Sequence, residues 1–88
     1  MGDATNGKRT IAVELPEAHQ VEIMGDFTDW IPVALTRDAA GRWSTTLAIP
    51  PGAHRMNVRV DGGAWRVPPG LTPVNDDFNG LTGLLIVR

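Results

Sequence analysis

The chain has 88 residues, of which 42% are hydrophobic and 20% charged, with a formal net charge of −2. That length fits one domain, and the absence of cysteine excludes a disulfide framework, thiolate chemistry and a zinc–sulfur site. No basic run offers an electrostatic footprint for nucleic acid, and no apolar stretch approaches the roughly 20 residues that span a bilayer.

The opening "MGDATNGKRT" has no apolar run of the kind a secretory signal needs. Residues 1–8 read as a polar lead-in, and 9–88 as the folded domain. From there the apolar period is close to two, which is the period of strands. "RTIAVEL" (9–15) places Ile11, Val13 and Leu15 on one face, and "HQVEIMG" (19–25) does the same with Val21 and Ile23. "RWSTTLAI" (42–49) aligns Trp43, Thr45, Leu47 and Ile49. "HRMNVRV" (54–60) turns His54, Met56, Val58 and Val60 inward and leaves Arg55, Asn57 and Arg59 outward. "TGLLIVR" (82–88) is apolar on both sides, as in a strand covered on both faces or central in its sheet.

The connections carry turn chemistry: "RDAAGR" (37–42), "PPG" (50–52) and "DGG" (61–63), the last a strong hairpin signal. Short strands with closely spaced turns predict an all-β antiparallel sandwich. The span "VPPGLTPVNDDFNG" (67–80) is long for a loop in so small a domain, which points to a functional or mobile segment.

Two loop features stand out. "GDFTDW" (25–30) puts a Phe and a Trp into a turn of otherwise polar residues, and Trp65 follows the Asp-Gly turn. Phe27 is expected to plug the core and hold the turn down, leaving Trp30 facing outward. Trp43 opens an alternating strand and is expected in the core. His54 sits at core spacing and reads as a half-buried structural histidine, and His19 as solvated. Without a positioned partner neither reads as catalytic. Asp26 and Asp29 share one short turn, which does not suit a glycosidase pair across a cleft. "NDDFNG" (75–80) clusters oxygen ligands without calcium-loop spacing or a terminal Glu, so it reads as a turn-rich loop rather than a metal site. No cofactor motif is present.

The strand ending "MGDFTDW", the link "LTRDAAGRW", the segment "IPPGAHRMNVRVDGGAW" and the terminal "GLLIVR" together resemble the glycogen-binding domain of the AMP-activated protein kinase beta subunit. More broadly they are similar to carbohydrate-binding module family 48 and the early-set domains of isoamylases and branching enzymes. The likeness runs from about Glu17 to Arg88.

The resemblance implies an immunoglobulin-like, early-set β-sandwich that binds α-glucan, such as glycogen, amylose or a cyclodextrin, without catalysis of its own. It implies a sugar platform at Trp30 and Trp65. Where the family uses a Lys in the strand before the Asp-Gly turn this chain has Asn57, and at the family's Asn before the last strand the nearest match is Thr82. The tail looks more like bacterial early-set proteins, where such a domain is one piece of a longer chain. The alternative expectation is a structural or protein-interaction early-set domain whose two tryptophans contact another domain or protein. Lack of a signal segment, and the site of glycogen storage, give the expectation of a cytoplasmic location.

Overall fold

Hydrophobic alternation becomes strand wherever turn residues bracket it. In the computed structural model, which describes residues 8–75 and 80–88, the strands are β1 (Lys8–Glu14), β2 (Val21–Gly25), β3 (Val33–Ala34), β4 (Thr36–Arg37), β5 (Arg42–Ala48), β6 (Gly52–Val60), β7 (Thr72–Asn75) and β8 (Leu81–Val87). Asp26–Thr28 form one 3-10 turn. All strand pairs are antiparallel, in two sheets ordered β1-β5-β4 and β3-β2-β6-β8-β7. This is the antiparallel sandwich expected from the sequence.

The inner faces meet as the period-two pattern dictates. Val13 and Trp43 come from the smaller sheet and Val21, Ile23, Met56 and Val58 from the larger, with Ala18 and Leu35 closing the cluster. Trp43 is buried, and its indole N–H donates to the Leu15 carbonyl at 3.1 Å. A buried indole needs such a partner, and Trp43 has the core role its spacing suggests.

Turn chemistry fixes the registers. The Asp38 carboxylate accepts the N–H groups of Ala40 and Arg42 at 2.9 Å each and closes the β4–β5 hairpin. Those bonds, the one from Arg42 foremost, hold its pKa below the usual carboxylate value. After β6, Asp61 and Gly62 both take positive φ, 52° and 73°. The Gly63 N–H bonds to the Val60 carbonyl at 3.0 Å, as in a two-residue type I′ turn.

The tail differs from its expected form. Residues 67–75 do not make one open loop. Pro68 is buried, and Pro68 and Leu71 pack over Gly83, where an added Cβ would lie 2.8 Å from the proline ring. Residues 72–75 then form β7, at the edge of the larger sheet. Its Pro73 has no N–H to give, and an edge is where a sheet tolerates that. β8 is central, between β6 and β7, but it is not covered on both faces, since Ile86 is 56% exposed.

Candidate functional site

The loop after β2 shows how the sequence presents Trp30. Gly25 is required by close approach, because a Cβ there would lie 2.6 Å from the Arg55 carbonyl oxygen. The Thr28 hydroxyl accepts the Gly25 N–H and donates to the Gly25 carbonyl, both at 3.1 Å. Phe27 packs against the core and meets the His54 ring edge-to-face at 5.9 Å. That is the anchoring role expected of it. Asp29 and Trp30 follow with φ of 55° and 59°. A bulky residue in the left-handed region is strained by about 1–3 kcal/mol, and here the Trp30 N–H is held by the Gly25 carbonyl at 2.9 Å. The result is an indole 42% exposed, followed by Ile31 at 62%. Strain that presents an aromatic ring to water is a pointer to function.

A second pin comes from β6. His54 Nδ1 lies 2.7 Å from an Asp26 carboxylate oxygen, and Nε2 lies 2.7 Å from the Pro50 carbonyl. The other Asp26 oxygen accepts the Arg55 N–H at 3.1 Å. Asp26 first, then the Pro50 carbonyl, raise the His54 pKa above its ordinary value, against a smaller opposing effect of burial. His54 is therefore structural, as its spacing suggests. It ties the Trp30 loop to the Pro-Pro-Gly turn. His19 is 93% exposed in its side chain, 3.9 Å from Asp61.

The loop leaves from β2 of the larger sheet, whose outer face carries the other predicted residues. Strand register sets its residues in rows. Glu22 pairs with Arg59 and Met24 with Asn57, while Val74 pairs with Thr82 and Thr72 with Leu84. Because Met56 pairs with Gly83, the next position along brings Asn57 beside Thr82. Both side chains leave the outer face, but neither stands free in water. Asn57 is 9% exposed and Thr82 4%. The Asn57 amide donates to the Leu81 carbonyl at 3.3 Å. Among the described residues, Asn57 Oδ1 and Thr82 Oγ1 have no hydrogen-bond partner. Thr82 lies inside β8, as its second residue, rather than ahead of the last strand.

Trp65 reaches the same face by an extra residue. Val58 and Arg66 exchange both backbone hydrogen bonds, at 2.8 and 2.9 Å, and the turn closes between Val60 and Gly63. Between these two closures β6 supplies Arg59 alone, while the returning strand supplies Ala64 and Trp65, the pattern of a β-bulge. Without that extra residue Trp65 would face the core side opposite Val58. With it, the Arg59 guanidinium carbon sits 4.6 Å from the Trp65 ring centroid. A contact of this kind is worth about 0.5–1 kcal/mol at an exposed site. Arg59 also donates from Nε to a Glu22 oxygen at 2.9 Å, and its Nη2 lies 2.8 Å from the same oxygen in an ion pair. Sequence reading left Arg55 and Arg59 as outward charges. The pairing of Arg59 with Glu22 depends on β2 lying against β6, which alternation does not reveal.

Two recesses of the described residues contain neither tryptophan. One is lined by Leu15, Pro16, Ala18 and Val60. The other lies between the sheets at Ile11, Met56, Pro68 and Leu85. Trp30 itself stands well exposed, at 42%, which suits contact with a polymer. Asp26 is engaged by His54 and Arg55 rather than standing free beside Asp29. Of the oxygen-rich 75–80 segment, residues 76–79 lie outside the described residues. Among those described, no three His, Asp or Glu side chains gather as a metal site would require.

Residues 10–88 match the family described as the glycogen recognition site of AMP-activated protein kinase. The chain belongs to that family. The resemblance read from the Trp30 and Trp65 motifs is thereby established over nearly the whole chain, and the family is a recognition module, not a catalytic one. No curated protein matches the chain significantly. Among solved structures, apo pullulanase from Paenibacillus barengoltzii is similar with a TM-score of 0.57 and 22% identity over 90% of this chain. A mutant of that enzyme complexed with maltotriose gives 0.58 and 21% over 93%, and another complexed with maltotetraose gives 0.54 and 24% over 90%. At these identities the likeness is one of fold. The chain spans 13% of the length of each pullulanase.

Proposed function

We propose that this glycogen-recognition-family domain binds α-glucan, non-catalytically and weakly, by stacking sugar rings on Trp30 and Trp65. What carries the reading is the family match across residues 10–88, which gives the ligand class. The strained, exposed Trp30 supports it locally. A pyranose presents an apolar C–H face ringed by hydroxyls. An indole suits the first and polar side chains suit the second. If each ring hides about 100 Å² of apolar surface, stacking contributes about 2.5 kcal/mol per ring. Association costs about 4–15 kcal/mol, so stacking alone barely breaks even.

Hydrogen bonds must supply the surplus, at about 0.5–1.5 kcal/mol each. Asn57 and Thr82 are our candidates. Each has a covered oxygen below the outer face with no partner among the described residues, and a sugar hydroxyl, or a water beneath it, would satisfy it once binding uncovers it. Asn57 offers no charge where the family uses Lys, which keeps the expected affinity low. The test is an NMR titration of the full chain with a cyclic α-glucan, following the three indole N–H signals. Trp30 and Trp65 are expected to shift while Trp43 stays fixed, and Trp30→Ala to abolish the response. No shift of either at millimolar sugar rejects the reading.

A second reading has one observation in its favour. Ile31 is 62% exposed directly beside Trp30, an apolar pair that would also suit docking against a neighbouring domain or protein. On that reading the indoles ignore sugar but shift when the partner is supplied. Residence in the cytoplasm stays part of our proposal, in keeping with where glycogen is stored.

A further inference from the structure

Glu22, Arg59 and Trp65 stand side by side on the outer face, in that order across β2, β6 and the returning strand. Register places Glu22 directly opposite Arg59, and the bulge at Ala64–Trp65 brings the indole to the same side. The Arg59 guanidinium is planar and presents several donors in a fixed fork. Its Nε donates to one Glu22 oxygen at 2.9 Å, and its Nη2 lies 2.8 Å from that same oxygen. Its central carbon sits over the ring, 4.6 Å from the centroid. The pair is partly withheld from water, with side-chain exposures of 29% for Arg59 and 19% for Glu22, so bulk solvent does not fully screen it.

We propose that Arg59, clamped by Glu22, is the positioning residue of the glucan platform, holding Trp65 by one face so that sugar meets the other. This rests on the reading of Trp65 as part of a sugar platform. An unsupported surface indole turns freely about its side-chain bonds, and a ligand that stacks on it must freeze that motion. A ring already pinned from behind is pre-organised, and the ligand loses less entropy. Arg59 itself does not touch the sugar. Lysine cannot replace it, because an ammonium neither stacks flat nor reaches Glu22 through two donors from one plane.

The test compares the full wild-type chain with Glu22→Gln, Arg59→Lys and, as reference, Trp65→Ala, titrated with a cyclic α-glucan. Indole ¹⁵N relaxation is measured in each free protein. In wild type the Trp65 indole is expected to be as rigid as backbone, with an order parameter of about 0.85. In Arg59→Lys it should fall below about 0.6, with affinity weakened roughly 3- to 10-fold and the Trp30 indole unchanged. Glu22→Gln is close in shape and should move both readouts in the same direction by less, which guards against misfolding of the arginine variant. A loosened Trp65 with unchanged affinity, while Trp65→Ala weakens binding, overturns the proposal alone. Full rigidity retained in both variants also overturns it. Binding that survives Trp65→Ala undiminished overturns the platform reading at Trp65, and this proposal with it.

Discussion

Asn57 Oδ1 and Thr82 Oγ1 are buried on the outer face without partners among the described residues. An unmade hydrogen bond at a buried polar atom costs about 1–3 kcal/mol, so each oxygen is a liability to the fold unless something else uses it. The cost can be read out by substitution. Thr82→Val has nearly the same shape and removes the orphan hydroxyl. It is expected to raise the unfolding free energy by about 1 kcal/mol, seen as a higher urea midpoint, and to weaken α-glucan binding in the same protein. A destabilised Thr82→Val with unaltered binding would show that the hydroxyl serves the sheet and not a ligand. Trp30 carries its own cost at the same scale, a left-handed backbone at φ 59°. Nothing in the motif "GDFTDW" announces that angle, because it follows from the Thr28 and Gly25 bonds that close the turn.

The strands and turns are joined by a few polar locks, and one of them titrates. His54 belongs to β6, yet its ring bridges the Asp26 carboxylate and the Pro50 carbonyl. Both neighbours are acceptors. A neutral imidazole donates from one nitrogen only and turns a lone pair toward the other acceptor. The doubly protonated ring satisfies both, which agrees with its raised pKa. A raised folded-state pKa stabilises most when the group is charged in both states, below the unfolded value of about 6.5, and that stability is lost as pH climbs through the folded value. The urea midpoint is therefore expected to decline as pH rises above about 6.5 and through the raised folded-state value. His54→Gln should flatten that slope, and the Trp30 indole signal should follow the same titration in wild type. Asp61 works in the opposite direction. Its carboxylate accepts the N–H groups of His19 and Gln20 at 2.7 and 2.8 Å, bonds that lower its pKa, His19 first. Its contribution is present above its ordinary value and lost as pH falls through the lowered one.

At the scale of the molecule, two stacking rings alone cannot bind one short glucan tightly, but a polymer offers many sites at once. Two copies of the chain joined by a flexible Gly-Ser linker are expected to hold glycogen at least 10-fold more tightly than one copy, with no gain for a single cyclic α-glucan. Pull-down on glycogen against titration with the small ring checks this. Equal affinities of one and two copies for glycogen would mean that the surface does not grip the polymer.

The sequence by itself determined the sandwich, because alternation at 9–15, 19–25, 42–49 and 54–60 fixes which side chains face inward, and burial enforces it. It also determined the family, through motifs whose Gly, Phe and Trp have steric jobs, and the roles of Trp43, Phe27 and His54. It did not show β7, since Pro73 and the polar residues around it carry no strand signal and only the neighbouring β8 makes an edge strand of them. It placed Asn57 outward but not beside Thr82, and it could not show that both would be nearly covered. The face of Trp65 depended on one extra residue, Ala64, between the turn and the Val58–Arg66 bridge. A shift of one residue in a period of two reverses a side chain. The Glu22–Arg59–Trp65 row required β2 and β6 to be neighbours. Such pairings join residues far apart in the chain, and they are settled by packing across the whole sheet rather than by any local stretch of sequence.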